Sequence, residues 1–273
     1  LHIEAHSFPT RRSSDLINMN TKHIISSCFL SAILCASCSS GYHLSNITRD
    51  RILIDNRYDA SPDADANKFM EPFKHRVDSI MAPIVGTTSV PLASYRPESP
   101  LSNLLSDILV WGAKPYQQQV DFAVYNIGGI RAAFAKGDIT VGDVVDVAPF
   151  ENKICFLTLS GEKVMELFKQ IASTGGEGVS GSVHLEITKQ GELKKALINN
   201  QPIDPNKQYR IATLDYLAQG NDKLEAFKSK TNVLSPQDYH SNVRFIIMDY
   251  FREAAKQGQK VGAKVEGRIT ILP

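Results

Sequence analysis

Asn126 and Arg131 flank a Gly128-Gly129 pair in the stretch Phe122-Ala-Val-Tyr-Asn-Ile-Gly-Gly-Ile-Arg131, and these residue types suit the binding of an anion. A guanidinium is a fork of fixed donors that matches phosphate or carboxylate. The asparagine adds a donor and an acceptor. The glycines allow a sharp turn and a close backbone approach to a ligand. For this chemistry to work, Phe122 to Tyr125 must form a short strand of β-prone residues ended by Asn126, with a helical turn over Ile130 to Phe134. Strand, glycine turn and helix together place polar groups at the carboxyl end of a strand, where ligands collect in α/β proteins. An ordinary turn carrying a surface arginine has the same local pattern, and the stretch alone does not separate the two.

Two later segments pair an aromatic residue with polar neighbours. In Ala148-Pro-Phe-Glu-Asn152 a proline fixes Phe150 in a loop, with Asn152 two residues on. In Asp215-Tyr-Leu-Ala-Gln-Gly-Asn-Asp222, Tyr216 leads into a polar, glycine-broken loop that ends at Asp222. Other chemistries find no support. Beyond the front of the chain, His43, His75, His184 and His240 belong to no metal-ligand pattern, and no Ser/His/Asp arrangement is visible. The glycine-rich run Thr174 to Gly181 reads as a flexible loop; it lacks the lysine and following helix of a phosphate-cradling loop. Cys155, within Ile154-Cys-Phe-Leu157, reads as a small buried hydrophobe.

The elements that must carry these residues follow from hydrophobic spacing. Phe69, Phe73, Val77, Ile80 and Met81 share one face of a helix over Lys68 to Ile84. Leu101, Leu104, Leu105, Ile108 and Leu109 do the same over Leu101 to Ala113, with Asn103 and Asp107 on a solvated side. Thr140 and Asp143 form a cap pair opening Val141 to Val147. Strands are expected at Ile52 to Ile54, Ser89 to Ala93, Lys153 to Ser160, Ser182 to Thr188, Leu193 to Ile198, Gln208 to Leu214 and Val265 to Leu272. A helix spans Gly161 to Ala172. Ser235-Pro-Gln-Asp238 is a capping signature for a last helix that runs to about Ala255.

The chain has 273 residues, a net charge of +1 and 42% apolar residues. Such near-neutrality argues against bulk electrostatic binding of nucleic acid, so an anionic ligand must be held by a local cluster. Residues 1–18 fit nothing that follows and read as a non-native, adapter-like leader. Residues 19–37 combine a short positive region with an apolar run too short to span a bilayer, the order of a secretory signal. The run ends Leu34-Cys-Ala-Ser-Cys38, which resembles a bacterial lipoprotein signal with Cys38 as the lipidated first residue. That places the protein at the cell envelope, lipid-anchored and periplasmic or outer-membrane, with residues 38–65 as a tether and 66–273 as the folded domain.

Taken in order, the motifs resemble the C-terminal, substrate-binding domain of the 5′-nucleotidase and UDP-sugar hydrolase family. They are Asn126 to Arg131, Gly137-Asp-Ile-Thr140, Pro149-Phe150, Val179-Ser-Gly181, Tyr209-Arg-Ile-Ala212, Ala218 to Asp222 and Glu266-Gly-Arg-Ile269. The resemblance implies an α/β (α+β) fold, a layered mixed-sheet sandwich with flanking helices. It also implies a substrate site in which Phe150 and Tyr216 stack on the two faces of a base and Asp222 takes the ribose hydroxyls. Asn126 and Arg131 would face the substrate, the arginine on the phosphate, and Asn152 falls where a base-contacting asparagine can lie. Arg96 is the nearest counterpart of a further family arginine ahead of the Leu101 helix. Ile127, Asn221 and Lys223 stand where the family has glycine, and Tyr216 where it usually has phenylalanine.

Family members also carry a two-metal phosphoesterase domain, for which the sequence holds no ligand pattern. The expectation is therefore a nucleotide-recognition half with no cofactor of its own. Divalent metals and hydrolysis would come from a separately encoded metallophosphoesterase. Two other readings remain: a nucleotide- or nucleoside-binding lipoprotein without catalysis, and a structural domain whose site has decayed.

Overall fold

The computed structural model describes residues 44–273, which places the leader, the signal and Cys38 outside the described residues. Residues 44–62 carry one short 3-10 turn, Asn56–Tyr58, whose first amides are capped by Asp55. The strand expected at Ile52 to Ile54 is not formed.

Residues 63–273 are a separate compact unit. Its helices are α1 (Ala64–Met81), α2 (Pro100–Trp111), α3 (Val141–Val147), α4 (Gly161–Ser173), α5 (Asp215–Ala218) and α6 (Val243–Lys256). Its strands are β1 (Ile84–Thr88), β2 (Phe122–Tyr125), β3 (Gly137–Thr140), β4 (Ile154–Ser160), β5 (Gly178–Val179) and β6 (Val183–Ile187). They continue with β7 (Leu193–Ile198), β8 (Gln201–Pro202), β9 (Gln208–Leu214), β10 (Thr231–Leu234) and β11 (Ile269–Ile271). The α/β mixed-sheet expectation holds. The strands form a β1-β3 pair, a central five-stranded sheet ordered β10-β4-β9-β2-β5, and a four-stranded sheet ordered β11-β6-β7-β8.

The central sheet positions the site. β4 and β9 pair antiparallel from Ile154↔Leu214 to Ser160↔Gln208, while β2 runs parallel to β9 with Phe122 opposite Ile211. The carboxyl ends of β2 and β9 therefore lie at the same rim as the amino end of β4. Consecutive buried residues in Phe122–Tyr125 and Ile154–Leu159 show that these strands are covered on both faces, which requires apolar runs and not alternation. Phe122 meets Phe168 of α4 at a 5.3 Å centroid distance, and Phe134 meets Phe251 of α6 at 5.4 Å.

Several local expectations shift, each for a physical reason. The turn after Asn126 is a 3-10 turn over Ile127–Gly129, and the chain from Ile130 onward is extended. Phe134 and Leu92 then exchange 2.9 Å backbone hydrogen bonds, which take the amides a helical turn at Ile130 to Phe134 would use internally. Those bonds make Leu92 an isolated bridge, and the strand lies earlier, over Ile84–Thr88, where β3 offers a partner. At the last helix, Asp238 caps only a 3-10 turn (Tyr239–Ser241), and Asn242 caps α6. Asn103 and Asp107 do not form a solvated face. Asn103 is buried and donates to Glu98 and to the Lys264 carbonyl, and Asp107 pairs with the buried Arg268. α1 starts at Ala64 under an Asp63 cap, and its apolar stripe of Phe69, Phe73, Val77 and Ile80 is exposed.

Candidate functional site

A cleft of about 230 Å³ opens at the rim where β2, β9 and β4 end, lined by Asn126, Gly128, Gly129, Phe150, Asn152, Tyr216 and Asp222. Each lining residue enters from the end of one of those strands. Asn126 follows β2 directly, with its side chain buried beneath the Ile127–Gly129 turn. A Cβ on Gly129 would sit 2.7 Å from Asn126 Oδ1, so the turn can close over the asparagine only because a glycine stands there. Phe150 and Asn152 come from the loop before β4. Val243 N–H donates to the Asn152 carbonyl at 2.9 Å, and Arg244 Nη2 donates to the Pro149 carbonyl at 2.5 Å. The start of α6 thereby fixes the loop that presents Phe150, whose ring stays half exposed.

Tyr216 and Asp222 enter from β9. Asp215 and Lys153 tie that strand end to β4, with Lys153 N–H donating to Asp215 Oδ1 at 3.0 Å and Asp215 N–H to the Lys153 carbonyl at 2.9 Å. Asp222 and Lys223 both have left-handed φ values, 54° and 64°. Two such residues in succession are unfavourable without glycine, and they turn the carboxylate back toward Asn126. Asn126 Nδ2 donates to Asp222 Oδ2 at 2.7 Å, and Tyr216 Oη donates to Asp222 Oδ1 at 2.9 Å. That bond to the carboxylate holds the Tyr216 phenol above its ordinary pKa.

Beneath the turn lies Glu177, which the sequence reading passed over as part of a flexible loop. It is buried, its Oε2 accepts from Ile127 N–H at 2.6 Å, and its Oε1 pairs with Arg96 Nη2. Arg96 Nε also donates to the Gly176 carbonyl at 2.8 Å. Burial pushes the Glu177 carboxyl up, against the opposing pull of Ile127 N–H and Arg96. The available signal was a single acid inside Thr174-Gly-Gly-Glu-Gly178, where only one side chain is large enough to fill space under the adjoining turn.

The structure thus gathers Asn126, Phe150, Asn152, Tyr216 and Asp222 around one cleft. Arg96 and Arg131 are not among the residues that line it. Arg96 is committed to Glu177. Arg131 is exposed, its N–H donates to the Val147 carbonyl at 3.1 Å, and its side chain makes no hydrogen bond among the described residues. Cys155 is buried in β4, and burial raises its thiol pKa, as expected of an inert packing residue. Among the described residues no group of three or more His, Cys, Asp or Glu side chains could hold a metal ion.

The family model of the 5′-nucleotidase C-terminal domain matches residues 84–229. The trifunctional nucleotide phosphoesterase protein YfkN of Bacillus subtilis is 30% identical over 236 residues, which cover 79% of this chain and 16% of that protein. Protein UshA of Escherichia coli is 29% identical over 165 residues, 59% of this chain and 30% of UshA. The 5′-nucleotidase precursor of Thermus thermophilus superposes with a TM-score of 0.65 at 25% identity, over 76% of this chain and 43% of that one. The chain belongs to the 5′-nucleotidase C-terminal domain family. It spans less than half the length of each of these relatives.

Proposed function

We propose that this domain is the nucleotide-recognition half of a split 5′-nucleotidase-type phosphohydrolase. The base lies between Phe150 and Tyr216, the ribose hydroxyls bond to Asp222, and Asn126 and Asn152 fix polar edges. Arg131, at the end of the turn that lines the cleft, meets the phosphate outside it. A separate metallophosphoesterase chain supplies the metals and the attacking water. The observation that carries this reading is the convergence of two rings, one carboxylate and two asparagines from three strand ends in a single cleft. Stacking on aromatic planes is worth about 1–3 kcal/mol per base in comparable sites, enough to orient a nucleoside before any phosphate contact. Anchoring through Cys38 at the cell envelope belongs to the same proposal.

The absence of Arg131 from the residues that line the cleft favours a second reading, capture of a nucleoside without catalysis. Phosphate release from AMP separates the two. With divalent metal, the chain alone releases none, and a mixture with its cognate metallophosphoesterase does. Activity from the chain alone, or none from the mixture, rejects the split enzyme; calorimetric binding of adenosine with no activity in the mixture establishes capture.

A further inference from the structure

We propose that the Tyr216 hydroxyl acts as an internal occupant of the sugar seat, competing with a ligand's hydroxyls for Asp222 and so setting how strongly the cleft distinguishes ribose from deoxyribose. This rests on the nucleoside reading above. Asp222 is the carboxylate in the cleft wall, and both of its oxygens already serve donors of the chain, Tyr216 Oη at 2.9 Å and Asn126 Nδ2 at 2.7 Å. The two donors differ in character. Asn126 is buried below the glycine turn and stays with Oδ2. Tyr216 is 38% exposed and lines the cleft, so its hydroxyl can leave for water when a ligand arrives.

A vicinal diol binds a carboxylate best with one hydroxyl on each oxygen. At this site the diol must displace or share with Tyr216 Oη, and part of the new bond is offset by the one given up. A ligand that lacks one hydroxyl of the diol, as 2′-deoxyadenosine does, can set its 3′-hydroxyl on the free lone pair of Oδ2 and leave the Tyr216 bond intact. The hydroxyl therefore narrows the preference for ribose, and a phenylalanine ring would keep the stacking surface while freeing Oδ1.

The test is calorimetry on the full chain with adenosine and 2′-deoxyadenosine, comparing the natural protein with Tyr216→Phe. The expected result is adenosine binding tightened about three- to tenfold in Tyr216→Phe, the worth of one recovered hydrogen bond to a charged group after exchange with water. Binding of 2′-deoxyadenosine changes less than about twofold, so the ratio widens. If the natural protein binds adenosine but the ratio is unchanged or narrower in the variant, the role of the hydroxyl is overturned and the nucleoside reading stands. If the natural protein binds neither, the nucleoside reading falls and this inference with it.

Discussion

Phe150 is half exposed in a protein whose other phenylalanines include some of its most deeply buried side chains. A ring held out in water by Arg244 and Pro149 costs hydrophobic burial, and a flat ligand surface restores it. Phe150→Ala should therefore weaken adenosine binding about 10- to 100-fold, one stacking face removed, with little change in thermal stability; calorimetry alongside a melt checks both halves. Phe150, Asn152, Tyr216 and Asp222 were singled out through the family resemblance, and the structure places them around one cleft. Glu177 was not legible, since its role depends on the Ile127 amide and on Arg96, both remote in sequence. Arg131 was legible as a residue type, and it is exposed and not among the residues that line the cleft. Nothing local says whether a guanidinium after a glycine turn folds over the cleft or away from it.

At the scale of the element, the turn Ile127–Gly129 joins β2 to the cleft and is held by two anchors, Asn126 bound to Asp222 and Glu177 bound to the Ile127 amide. Gly129 tolerates no side chain against Asn126 Oδ1. Gly129→Ala should push Asn126 off Asp222 and lower nucleoside affinity by about tenfold or more, the worth of a disturbed charge-assisted bond. Circular dichroism should remain that of the natural protein, because the sheet is untouched. The strands beneath this turn were read from sequence to within a residue or two, as long apolar runs allow. The short pieces were not: β5 and β10 exist because β2 and β4 offer them edges to pair with, which no local propensity encodes.

At the scale of the whole unit, Arg268 ties the last strand to the front of the domain. It is buried, bonds bidentately to Asp107 of α2 at 2.9 and 2.7 Å, pairs with Glu266 and donates to the Val179 carbonyl of β5 at 2.9 Å. Arg268→Ala leaves those acceptors facing a void and should destabilise the protein by about 2–4 kcal/mol, read as a lower midpoint in urea at unchanged slope. The motif Glu266-Gly-Arg-Ile269 pointed to the family without disclosing this role, because the bidentate partner Asp107 lies 161 residues earlier in the chain.

The rim shared by β2, β9 and β4 has a consequence for how such a protein changes over generations. The seven-pair ladder between β4 and β9, with β2 paired alongside β9, fixes where the three cleft loops are rooted, whatever their own residues are. Selection can thus exchange the cargo by rewriting a few loop positions while the scaffold beneath them is inherited unaltered.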